Sequence, residues 1–261
     1  MIKKPDRLPS TLDSELIIKD ARRALELAMP SRRLFGKRAL TLGGLSLLTG
    51  CDITDNESVN RMLTNISRMN DGVQAWLFDP NRMAPTYPAS MITRPFPFNA
   101  FYGEDEITEV NGDDYRLEIK GLVSNKKSWT LPELRRLPQV EQITRHICVE
   151  GWSAIGRWGG VPFAGFLKHI GADLNAKFIA FRCADDYYTS IDMPTALHAQ
   201  TQLTLTYDGE ILPPKYGFPM KLRMPTKLGY KNPKHIASIE VTNTYPGGYW
   251  EDQGYNWFGG A

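Results

Sequence analysis

The 261 residues contain no uninterrupted apolar run of the roughly 18 to 20 that a spanning helix needs, so a polytopic membrane protein is excluded. Cysteine is scarce, at three residues. No Cys-x-x-Cys or Cys-x-x-Cys-His occurs, and His146, His169, His198 and His235 form no His-x-x-x-His pairing, which leaves zinc and c-type haem without a motif. No glycine-rich nucleotide fingerprint follows a strand, and no internal repeat or low-complexity tract is present. With 42% hydrophobic and 23% charged residues, the composition is that of a folded protein of one or two domains and excludes global disorder, collagen and coiled coil.

A basic excess is also missing where nucleic-acid binding would need one. Residues 1–51 hold 10 Lys+Arg against 5 Asp+Glu, leaving 21 against 24 in the rest. The net charge of +2 therefore belongs to the leader, and the folded part offers no support for a nucleic-acid partner.

The leader carries its own message. Ser31-Arg32-Arg33-Leu34-Phe35-Gly36-Lys37 is followed by the uncharged run Ala39 to Gly50, too short to span a bilayer permanently. The pattern resembles a twin-arginine export signal, which implies passage to the periplasm already folded. Leu48-Thr49-Gly50-Cys51 resembles a lipobox, with Cys51 as the lipid-bearing first residue of the mature chain and Asp52 favouring retention at the inner membrane. The alternative is a short buried helix ending at a structural cysteine.

Residues 1–51 thus read as signal, and 52–89 as a tether and extended arm. Val59, Met62, Leu63, Ile66 and Met69 recur at helical spacing and predict an amphipathic helix of about four turns that tethers or packs. The prolines between 80 and 97 predict an extended arm. Tyr115, Leu117 and Ile119 alternate with charged residues as in a strand ending at Gly121. Thr130-Leu131-Pro132-Glu133 reads as a capping box. Strands are predicted at Ile143 to Val149, Phe178 to Cys183, Gln202 to Tyr207 and Ile236 to Thr242, with a helix from Phe163 to His169. Short strands with isolated helices give an α+β fold of mixed sheets, without alternating βαβ units.

With Cys51 assigned to lipid, Cys148 and Cys183 remain. In an exported protein two thiols suggest one disulfide, but a chain of this size can bury a core without a bridge. Cys148 lies within Arg145-His146-Ile147-Cys148-Val149-Glu150-Gly151-Trp152-Ser153. A thiolate suits a soft metal, and Arg145 could supply the positive charge that favours it. His146, two residues from Cys148 on one strand face, leaves open a thiol enzyme with a histidine base. Between Glu210 and Glu240 no acidic residue occurs, yet Lys215, Lys221, Arg223, Lys227, Lys231 and Lys234 do. Lysines, arginines and backbone amides of this kind hold phosphate; a solvated basic face is the plainer reading, but the lack of acidic partners and the interleaved Gly217, Pro225 and Gly229 favour a binding loop.

Around Cys-Val-Glu-Gly-Trp-Ser the chain resembles the molybdopterin-binding domain of the sulfite oxidase superfamily, in the bacterial periplasmic branch that includes protein-methionine-sulfoxide reductase catalytic subunits. The resemblance covers roughly residues 90–245 and implies a sulfite-oxidase-like fold with Mo-molybdopterin, one molybdenum, and Cys148 as its metal ligand and catalytic residue. It further implies pterin contacts at Asn99, Tyr102 and Gly103, the last where the branch has an acidic residue, and at Cys183, where the branch has threonine. Tyr216 and Lys221 fall where the family has asparagine and arginine. A phosphate loop falls on Asn232, Pro233 and Lys234.

That resemblance implies oxygen-atom transfer by the cofactor, with electrons from a separate membrane haem partner. Glu150 beside the metal position would repel an anion, which favours reduction of a neutral oxide such as a sulfoxide over oxidation of sulfite. Tyr187, Tyr188 and Trp152 are placed near the entrance. The aromatic tail, residues 246–261, is expected either to close over the site or dock the donor, or to pack as a plain arm. A monomer is expected. The rival readings are a sulfite-oxidising enzyme of the same family and a cofactor-free lipoprotein that binds a ligand on this fold.

Overall fold

The computed structural model describes residues 57–261; the paired arginines, the apolar run and Cys51 lie outside the described residues. Both sheets lie within the compact unit Met62–Ala261. Helix α1 (Glu57–Leu77) is longer than the four turns its spacing predicts, and Asp71 ties it to the C-terminal residues. Asp71 accepts from Asn256 Nδ2 at 2.6 Å and from the Phe258 amide at 2.9 Å, while Met62, Met69 and Trp76 stay exposed.

The prolines after α1 do keep the chain extended. It bonds along the second sheet through Tyr87 N–H to Ile143 O and Thr93 N–H to Ile155 O. This arm delivers Asn99 to the end of a hairpin.

The first sheet has the order β2-β1-β10-β5-β6, built from β1 (Arg116–Gly121), β2 (Trp129–Thr130), β5 (Phe178–Cys183), β6 (Tyr188–Asp192) and β10 (Ile236–Thr242). The alternation read in β1 buries Leu117 and Ile119 and exposes Arg116 and Glu118. Helix α2 (Leu131–Arg136) opens on the expected box: Glu133 N–H donates to Thr130 Oγ1 at 3.3 Å and Thr130 N–H to Glu133 Oε2 at 2.8 Å.

The second sheet runs β3-β4-β7-β8, with β9 also pairing β7. Its strands are β3 (Val140–Ile147), β4 (Ser153–Pro162), β7 (Gln202–Tyr207), β8 (Glu210–Ile211) and β9 (Lys221–Arg223). Between the sheets lies a core that includes Phe163, Phe166 and Leu167 of α3 (Phe163–His169), Ala196 of α4 (Met193–Leu197), Phe181, Leu203 and Ile239. A smaller aromatic cluster joins Phe96, Trp158 and Tyr216. The result is the α+β, mixed-sheet fold expected from the sequence.

Candidate active site

Strands β3 and β4 form a hairpin whose connection is Cys148 to Trp152. The turn closes through Cys148 N–H to Trp152 O at 2.9 Å and Gly151 N–H to Cys148 O at 3.2 Å. Cys148 is thereby fixed at a strand end, buried, and free of any disulfide; Cys183 is likewise free. Asn99 Nδ2 donates to Cys148 Sγ at 3.3 Å, and the thiol faces Glu150 Oε2 at 3.6 Å. Trp152 Nε1 holds that carboxylate oxygen at 2.8 Å. Burial, and secondarily the Glu150 carboxylate, push the Cys148 thiol above its ordinary pKa, so without a metal it stays protonated.

Cys148, Asn99 and Glu150 line a cavity of about 140 Å³, with Asn232, Pro233 and Lys234 also in its wall. Asp185 lines it too and ties the segment after Asn99 to the β5–β6 hairpin, accepting from Tyr102 OH at 3.0 Å and from the Tyr187 amide at 3.2 Å. Aromatic rings of Phe101, Tyr187, Tyr230, Trp250 and Tyr255 complete the lining.

Beside this cavity the sequence has gathered buried cations that make no salt bridge among the described residues: Arg223 donates to Arg145 O and Thr144 Oγ1, and Lys234 Nζ to Lys215 O at 2.8 Å. Lys221, Arg223 and Lys234 are buried, and burial, reinforced by their charges, holds the His146 imidazole well below its ordinary pKa. Burial lowers Lys221 strongly, Lys234 to about 8 and Arg223 to about 9. Neither ring nitrogen of His146 has a hydrogen-bond partner, nor do Arg223 Nε and His235 Nε2. Burying donors and charges without partners is costly, so such a cluster is built to receive an anion. The glycine at 217 makes the cluster possible. Its φ of +114° turns the chain, and a Cβ there would meet the Lys234 Cβ at 2.9 Å and the Lys221 Cβ at 3.2 Å.

Other expected contacts are placed elsewhere. Arg145 and His146 are neighbours on β3, and alternation sends Arg145 to the opposite face, where it stacks over Tyr87 at 5.1 Å and lines a second cleft of about 620 Å³. Arg145 therefore faces away from the thiol, and the cation in the cavity wall is Lys234. Tyr216 is no cavity residue: its hydroxyl donates to Phe96 O at 2.8 Å within the aromatic cluster. Gly103 is exposed and caps a turn, its N–H on Glu106 Oε2. Cys183 packs in the main core, its N–H closing the β5–β6 turn on Tyr187 O. Tyr102 touches the site through its hydroxyl on Asp185 and its ring against Phe101, and Asn232 spends its side chain on its own loop, accepting from Met224 N–H at 2.6 Å and donating to Leu228 O at 2.9 Å. Tyr188 instead donates to Asp252 at 2.7 Å.

The basic run also divides by task. Lys231 pairs with Glu251, and Lys227 Nζ donates to Phe258 O at 2.9 Å, so these two hold the C-terminal arm. That arm brings Trp250 and Tyr255 to the cavity. His235, Asp185 and Tyr230 were not singled out by the sequence reading; only the run of unpaired cations around His235 hinted at it.

Residues 104–250 match the oxidoreductase molybdopterin-binding domain. The chain belongs to that family. It is 65% identical, over all of both chains, to an Azospira oryzae protein named, provisionally, as protein-methionine-sulfoxide reductase subunit YedZ1. It is 30% identical to the protein-methionine-sulfoxide reductase catalytic subunit MsrP of Burkholderia mallei, over 56% of this chain and 49% of that one, and 28% identical to MsrP of Ralstonia nicotianae, over 71% and 64%. The sulfane dehydrogenase SoxCD from Paracoccus pantotrophus shares the fold, with a TM-score of 0.50 at 22% identity over 53% of this chain and 40% of that one. The chain is thus an oxidoreductase that uses Mo-molybdopterin. Its residues fit the group: one sulfur donor at a cavity, and a cluster of buried cations outside any salt bridge, with orphaned donors on His146, Arg223 and His235, for the cofactor's phosphate end. Among the described residues no three His, Cys, Asp or Glu side chains gather to cage a metal.

Proposed function

We propose that this oxidoreductase reduces a sulfoxide or a similar neutral oxide. The carrying observation is the Glu150 carboxylate held against Cys148 Sγ, with Asp185 also in the cavity wall. Negative charge there disfavours an approaching anion such as sulfite. Aromatic rings around the cavity suit a thioether or sulfoxide sulfur, which makes favourable contacts with ring edges. The names of the relatives point the same way.

Molybdopterin, when bound, supplies the two-electron and oxygen-atom-transfer chemistry. The chain's part is to present Cys148 Sγ as the metal ligand, oriented by Asn99, and to hold the phosphate end with Lys221, Arg223 and Lys234. Phe101, Tyr187 and Trp250 exclude water. The alternative of a thiol nucleophile is disfavoured, because His146 makes no hydrogen bond to the thiol and Cys148 is shifted up in pKa.

Electrons come, in this reading, from a membrane haem partner. The protein acts as a monomer in the periplasm, exported through Ser31 to Lys37 and anchored by lipid on Cys51. A substrate comparison driven by a reduced dye tests the activity: sulfoxides should turn over fastest among sulfoxides, N-oxides and sulfite. An enzyme that only oxidises sulfite would overturn it.

A further inference from the structure

We infer that helix α1 lies on an anionic lipid bilayer, with its apolar face seated in the headgroup region. The helix is docked inside out. Met62, Ile66, Met69, Val73 and Trp76 are spaced four, three, four and three residues apart, so they form one face. All are exposed, Met69 at 62% and Trp76 at 81%. The opposite side carries Asp71, two residues from both Met69 and Val73, and its carboxylate is fixed by Asn256 and the Phe258 amide. A helix that satisfies a polar anchor on its own domain and shows its apolar face outward leaves that face for another medium.

Charge selects the medium. Between Met62 and Leu77 the one acidic residue, Asp71, is turned inward, and the one basic residue, Arg68, is exposed on the side nearer Asp71, so the outward face carries no negative charge and the helix's exposed charge is positive. An exposed tryptophan at the end of such a stripe is the side chain that favours the lipid–water boundary. The position in the chain agrees, since Cys51 and the apolar run Ala39 to Gly50 directly precede the helix. The inference does not need Cys51 to carry lipid.

The full chain is mixed with phosphatidylcholine vesicles containing phosphatidylglycerol with brominated acyl chains, which quench only tryptophans at membrane depth. Wild type should show lipid-dependent quenching that Trp76→Phe lacks. The run Ala39 to Gly50 is common to both chains, so the difference reads the helix alone. Met69→Asp with Val73→Asp should abolish the same signal, and exchanging the anionic lipid for a neutral one should weaken it by about fivefold, the worth of one arginine near the surface. Equal quenching in wild type and Trp76→Phe would overturn the inference. So would shielding of Trp76 from acrylamide by a membrane protein, or by a second copy at high concentration, with no response to lipid.

Discussion

Lys231 and Glu251 form an ion pair in which each side chain is 1% exposed. Lys231 belongs to the basic loop beside the cavity and Glu251 to the arm carrying Trp250 and Tyr255. Thr189 Oγ1 donates to the same Glu251 oxygen at 2.8 Å. Glu251→Gln would leave a buried ammonium without its counter-charge, at a cost of about 3–5 kcal/mol, whereas replacing both by Lys231→Met and Glu251→Leu should recover most of it. Denaturant unfolding of the three variants checks the order.

Lys221 should show effects of opposite sign with and without cofactor. In the cofactor-free chain it is a buried amine whose proton is disfavoured by burial and by Lys234 and Arg223, so Lys221→Met should stabilise that form by about 1–3 kcal/mol. In the loaded enzyme it faces an anion, so the same variant should lose pterin on dialysis faster than wild type. Unfolding of the stripped protein and fluorescence of the released pterin measure the two.

Lys227 makes stability depend on pH. Burial depresses its folded pKa to about 7 from 10.5, so between those values the unfolded chain binds more protons and stability rises with pH, by up to ~1.4 kcal/mol per unit. Below pH 7 this contribution is flat. Lys227→Met should remove the rise, as read from denaturation midpoints of both proteins at pH 7 and 9.

Glu150 sets substrate charge. Glu150→Gln keeps the shape of the side chain and removes the repulsion, so kcat/KM for sulfite should increase by about tenfold, while that for a neutral sulfoxide moves less. A steady-state comparison of the two substrates decides it.

The elements legible in the sequence are those with a single clear period or cap. Strands Phe178–Cys183, Gln202–Tyr207 and Ile236–Thr242, helix Phe163–His169 and the Thr130 box have the bounds their residues suggest. Strand β4 was illegible because Gly156, Gly159 and Gly160 look like loop. They are there for close packing: a Cβ on Gly160 would meet Leu203 O at 2.0 Å. Strand β6, with Thr189, Ser190 and Asp192, lacks an apolar pattern for the same practical effect. At the site, local motif led to Cys148, Asn99 and Lys234, which line one cavity, whereas Arg145, Tyr216 and Gly103 lie away from it. Which strand face or cluster a side chain enters depends on partners far along the chain, such as Phe96 for Tyr216. The outward apolar face of α1 was equally hidden, since periodicity locates a face and says nothing of which side is buried.

The ligand role of Cys148 can be read directly at the metal. X-ray absorption at the molybdenum edge of the purified enzyme and of Cys148→Ser should show metal in both, with one sulfur fewer around it in the variant and turnover abolished. Identical sulfur shells in the two proteins, or an active wild-type preparation without molybdenum, would contradict it.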